Sequence, residues 1–173
     1  CASSNPGKPY QPDWLADFGG RIVRCQYGKT SGLTVPDLDD PEVLERHLAL
    51  IAALGKRYDG HPDLDHVDVG SVGWWGEWHM SQCPQLDLPT AATRKRIVDA
   101  YLAAFRKTPL VMLIGGKDWL SYAARRGAGW RADCLGDMGG FSDRWNHMRN
   151  AYPQAVGQPH VGDAWKNAPV AWE

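Results

Sequence analysis

The stretch "GWWGEWHMSQC", residues 73–83, sets a glutamate, a histidine and three tryptophans among glycines, directly after the apolar run "VDVGSV". Glu77 between Trp75 and Trp78 has the surroundings of a general acid, because an apolar wall disfavours the charged carboxylate and raises its pKa above the usual ~4.3. The glycines let the backbone turn sharply there. Trp74, Trp75, Trp78 and, further along, Trp145 carry flat apolar faces of the kind that stack on the C–H side of a sugar ring. His79 is a nearby hydrogen-bond donor, and Asp137 is a candidate substrate contact. Loop capping by Asp133 and Asp137, or salt bridges from them to Arg131 or Arg144, compete with substrate contact. For the Trp-Gly-Glu-Trp-His end, the competing reading is a structural plug with Glu77 paired to Arg or Lys. His79 and Cys83 have metal-ligand spacing, but two residues do not make a site and the other histidines are scattered, so no metal ligand set is expected.

Positioning these groups requires strands that end where they begin. "DDPEVLERHLALIAALGKRYDG" predicts a helix capped by Asp40, with Pro41 at its first position and Leu44, Leu48, Ile51 and Leu54 at helical spacing. "LDHVDVGSV" predicts a short strand, "TAATRKRIVDAYLAAFRK" an amphipathic helix, and "PLVMLIG" a fully buried strand. "DWLSYAARRG" predicts a helix capped by Asp118 and ended by Gly127. A weaker strand in "WRADCLGDM", a short helix near "DRWNHMRNAY" and a last strand in "APVAW" follow. Residues 3–36 read as a long irregular connection around the β-like "RIVRCQY". Alternating strands and helices argue for a parallel α/β sheet, doubly wound or a (β/α)8 barrel. No G-x-G-x-x-G follows a strand, so a dinucleotide cofactor is not expected, nor any other cofactor. The barrel accounts better for polar and aromatic residues at successive strand ends.

Composition narrows the partners. The chain has 173 residues, 43% hydrophobic and 23% charged, and reads as a single globular domain. A net charge of −1 from 19 basic and 20 acidic residues, without charge runs, leaves no footprint for nucleic acid. No run approaches the ~20 apolar residues of a membrane span, and the opening "CASSNPGKPYQPDW" lacks the apolar segment of a signal peptide. Four cysteines without a CxxC pair leave a disulfide open without demanding it.

The residues "PDLDDPEVLERHLALIAALGKRYDGHPDLDHVDVGSVGWWGEWH" resemble the glycosidase-like (β/α)8 proteins of clan A, most closely an uncharacterised bacterial group with a Gly-x-Trp-Gly-Glu-Trp-His signature. The resemblance implies that the strand leading to Glu77 is the fourth of a barrel and "PVAWE" the seventh. Glu77 is then the acid/base and Glu173 the nucleophile of a retaining O-glycoside hydrolase, with Trp75, Trp78, His79, Asp137 and Trp145 around a saccharide. Clan A enzymes carry Asn just before the acid/base, whereas this chain has Gly76. The rival readings are a saccharide-binding or scaffold barrel and a metal-dependent hydrolase. A complete barrel needs ~250 residues, and about four strands are visible. The expectation is therefore an incomplete barrel, lacking its first strands and its last, that associates with copies of itself through exposed edges. The carbohydrate role favours an extracellular or periplasmic setting.

Overall fold

A computed structural model of the chain describes residues 14–17, 19–27, 30–81, 83–140 and 142–172. A short helix, α1 (Trp14–Asp17), precedes an antiparallel hairpin of β1 (Ile22–Tyr27) and β2 (Thr30–Pro36). The irregular connection expected over residues 3–36 is, in its described part, this helix and hairpin. The pairing slips register between Cys25 and Gln26, and such a bulge breaks the period-two pattern by which a strand is recognised.

Helix α2 (Pro41–Tyr58) begins as its sequence dictates. The Asp40 carboxylate accepts from the backbone N–H groups of Glu42 at 3.0 Å and Val43 at 3.2 Å, satisfying two donors that the first turn leaves orphaned. Leu44 and Ile51 are buried along its inner face, while Leu54 lies off that face, 38% exposed. Strand β3 (Val67–Asp68) follows, then α3 (Ala91–Ala104) capped by Thr90. Asp39 ties the starts of α2 and α3 together: its carboxylate accepts from the Thr90 hydroxyl at 2.8 Å and the Thr93 hydroxyl at 2.6 Å.

Strand β4 (Leu110–Leu113), helix α4 (Asp118–Ala124), strand β5 (Gly129–Ala132), helix α5 (Tyr152–Val156), which continues one π-helical turn over His147–Ala151, and strand β6 (Val170–Trp172) complete the described chain. The expected cap at Asp118 is displaced by one residue. Lys117 occupies the cap position with φ 49°, and Asp118 is already in the helix.

Strands β3 to β6 form one parallel sheet in the order of the sequence, β3-β4-β5-β6. The fold is thus mixed α/β with helical crossovers, as the alternation of elements predicts. Residues partnered in register share a face. Leu110, Met112, Trp130 and Ala132 point to one side and join Ile51 of α2, Ile97 of α3, Leu120 of α4 and Tyr152 of α5 in a single buried cluster. The partnered positions Asp68, Val111, Gly129, Leu113, Arg131 and Ala171 define the opposite face. Two charged residues on this second face are what the sheet positions for chemistry. Among the described residues, no helix is long and apolar enough to cross a membrane.

Candidate active site

All four strands run in the same direction, so their carboxyl ends share one edge. The loop after β3 turns back at once. Trp74 N–H donates to the His79 carbonyl at 2.7 Å, Trp78 N–H donates to the Val72 carbonyl at 2.8 Å, and Val72 and Glu77 pair as a parallel bridge. Gly73 makes this closure feasible. Its φ of 77° is a left-handed conformation, and a Cβ there would lie 2.5 Å from the His79 oxygen and 2.8 Å from its nitrogen. Gly73→Ala is therefore expected to lower stability by about 2 kcal/mol or more through strain and collision. A urea midpoint within error of wild type would contradict that.

Burial alternates from residue 71 to residue 79. Val72, Trp74, Gly76 and Trp78 are buried, whereas Ser71, Gly73, Trp75, Glu77 and His79 are partly exposed. This separates the expected site residues. Trp78 is 2% exposed, and its indole N–H donates to the Val69 carbonyl at 2.8 Å. A ring so enclosed has no face for a sugar, so the expected substrate contact at Trp78 is corrected to a core residue. Trp74 is likewise buried, beside Cys83, which is disulfide-bonded and fixes the far end of the loop. Trp75 stays at the surface, edge-on to both Trp74 and the His79 ring, with centroids 5.7 and 5.8 Å away.

Glu77 meets polar partners. Its Oε2 lies 3.0 Å from His79 Nε2, and its Oε1 lies 3.9 Å from Arg131 Nη2. Arg131 is the group that spacing alone left as a mere salt-bridge alternative. From β5 its guanidinium reaches over β4, a span of roughly 9–10 Å, to place Nε 3.3 Å from Asp68 Oδ2 of β3, while Nη1 donates to Asp133 Oδ1 at 2.7 Å. Asp68, Glu77 and Asp133 thus share one largely buried cation. His79, expected as a hydrogen-bond donor near the site, lies against Glu77. Glu173 itself lies outside the described residues.

Asp137 and Trp145 stand on the loop after β5. The Asp137 carboxylate, its side chain 4% exposed, accepts from His147 N–H at 3.0 Å, His147 Nδ1 at 2.7 Å, and the N–H groups of Gly139 and Gly140, each at 2.9 Å. With its lone pairs so engaged, Asp137 organises a loop, which corrects its expected role as a substrate contact. The His147 backbone donor first, then the His147 ring and the glycine amides, hold its carboxyl well below the usual 3.8. A depressed folded-state pKa contributes stability that is complete above the unfolded value and lost as pH falls through the folded one. Asp137→Asn should therefore melt below wild type at neutral pH, with the gap narrowing once pH drops under 3.8. A gap that stays constant across acid melting curves would contradict this. Trp145, 42% exposed, is propped edge-on against His147 at 4.5 Å, and Tyr152 donates its hydroxyl to the Asp133 carbonyl.

Backbone strain gathers on the same edge. Among the described residues, six non-glycine residues have left-handed φ, and Ser71, Trp75, Trp78, Lys117 and Cys134 all lie in the loops after β3, β4 and β5. Each costs roughly 1–2 kcal/mol, and such strain collects where a loop must aim a side chain. The β4 loop also presses close: a Cβ at Gly115 would lie 3.0 Å from the Glu77 carbonyl. Among the described residues, no group of three or more His, Cys, Asp or Glu is placed to hold a metal.

No family model, curated protein or solved structure matches the chain.

Proposed function

We propose that the chain belongs to a carbohydrate-active (β/α)8 protein and that the rim around Glu77 is the saccharide site of a retaining O-glycoside hydrolase. The observation that carries the reading is the convergence of Glu77, His79, Asp68, Arg131 and Asp133 at the carboxyl edge of a parallel sheet. That edge is where barrel enzymes hold their chemistry. Strands that follow one another in sequence order suit a singly wound barrel, because a doubly wound sheet reverses its order at the switch point.

In this reading Glu77 protonates the glycosidic oxygen as the C–O bond breaks, and the carboxylate of Glu173, the residue following β6, attacks the anomeric carbon. Water then adds to that carbon, giving its proton back to Glu77 and releasing Glu173. Oε1 is the oxygen that meets the substrate, since His79 engages Oε2. Trp75, partly exposed, and Trp145, exposed, supply apolar faces. The disulfide at Cys83 suits an oxidising, extracytoplasmic setting.

A second reading, a barrel that binds a saccharide without cutting it, draws on the Glu77 contacts with Arg131 and His79, which satisfy the carboxylate as a structural plug would. Calorimetric titration with oligosaccharides, paired with reducing-sugar release, separates the two. Binding with turnover supports the hydrolase, binding without turnover supports the second reading, and the absence of both would overturn the saccharide site.

A further inference from the structure

We propose that His79 is a positioning residue that decides which oxygen of Glu77 reacts, its tautomer being set by Ser81; this rests on Glu77 being the reacting carboxyl. The Ser81 backbone N–H can only donate, and it points at His79 Nδ1 from 3.3 Å, with the Ser81 hydroxyl 2.9 Å from the same nitrogen. Nδ1 therefore carries the lone pair. In the neutral imidazole the proton must then sit on Nε2, which lies 3.0 Å from Glu77 Oε2. The ring donates to Oε2 and engages it, while Oε1, 3.9 Å from Arg131 Nη2, is beyond hydrogen-bond reach of the guanidinium and is the oxygen presented to a ligand.

The backbone that carries the ring is fixed: the His79 carbonyl accepts from Trp74 N–H at 2.7 Å, and the turn at Gly73 packs directly against the His79 backbone. The ring itself is met by Ser81, Glu77 and the Trp75 ring, edge-on at 5.8 Å. Glu77 and His79 are both partly exposed, and their side chains meet at 3.0 Å. A carboxyl fixed by one oxygen needs no reorientation at the moment of reaction. One left to rotate spends part of its time misaligned, and a misplacement of about 1 Å costs on the order of 10²-fold in rate.

Two arms test this. In wild-type protein labelled with 15N-histidine, at a pH where the ring is neutral, long-range 1H–15N correlations are expected to show His79 protonated at Nε2 and bare at Nδ1. The Nδ1–H tautomer would overturn the proposal whatever the protein's activity. In the kinetic arm His79→Leu removes the donor, whereas His79→Gln places an amide N–H near the position of Nε2. His79→Leu should lose about 10²-fold in kcat with little change in KM, and His79→Gln should recover most of it, circular dichroism confirming that both fold. Equal losses in the two variants, or a change confined to KM, would overturn the positioning role. Absence of turnover in wild type would instead defeat the Glu77 reading, and the tautomer would then decide the claim about Ser81 and His79 by itself.

Discussion

Glu77→Gln is expected to slow hydrolysis of an unactivated oligosaccharide by about 10²–10⁴-fold, the contribution of a positioned general acid, while an activated aryl glycoside still undergoes its first step. The difference follows from the leaving group: an alkoxide must be protonated as it departs, whereas a nitrophenolate need not be. The variant should fold, because glutamine keeps an acceptor for the His79 Nε2–H and fits the same space beside Arg131. The burst phase and kcat/KM on both substrates, which report the first step even where loss of the base slows the second, check this. Equal losses on the two would mean that Glu77 is not the proton donor, and no loss on either would remove it from the chemistry.

The second large effect concerns Arg131. Replacing it with Met keeps the apolar stem but leaves Asp68, Glu77 and Asp133 facing one another without the guanidinium that now lies 3.3, 3.9 and 2.7 Å from them. Removing one partner of a buried ion pair costs about 3–5 kcal/mol. Asp68 is 46% exposed and well screened, so about 2–3 kcal/mol is expected in urea unfolding. Adding Asp133→Asn to Arg131→Met should recover part of the loss, as contact in one network implies. Arg131→Lys should rescue poorly, since a compact ammonium lacks the planar spread by which the guanidinium reaches Asp68 and Asp133 from separate nitrogens. A loss under about 0.5 kcal/mol in Arg131→Met would show that the charges are solvated and organise nothing.

Elements whose ends carry their own chemistry were legible. Asp40 and Pro41 announce α2, Thr90 announces α3, and the unbroken apolar run of β4 announces a strand covered on both faces. The hairpin was not legible, because β2 contains Ser and Gly among its apolar residues and the bulge at Cys25 and Gln26 shifts its partner. Glu77 stood out by its neighbours, yet those neighbours misled. Flanking tryptophans suggested a desolvating pocket on both sides, whereas Trp78 turns inward. No local pattern signalled this, because residues 73–78 form a turn with a 3-10 helix and left-handed residues, in which two-residue spacing sets no face. Arg131 was visible from strand alternation. In "WRAD" the arginine and Asp133 are two apart, so both emerge on the face that Trp130 and Ala132 avoid. What no local pattern could supply is that Asp68, more than sixty residues earlier in sequence, lies across β4 from Arg131. That contact belongs to the sheet order.

The central claim is that a saccharide binds at the carboxyl edge of the sheet, against Glu77. The most direct measurement is a crystal structure of the Glu77→Gln protein with an intact oligosaccharide. The account predicts a glycosidic oxygen within about 2.6–3.2 Å of the residue 77 side chain, and a sugar ring against Trp75 or Trp145. An oligosaccharide bound elsewhere on the protein, with residue 77 still engaged only by His79 and Arg131, would contradict it.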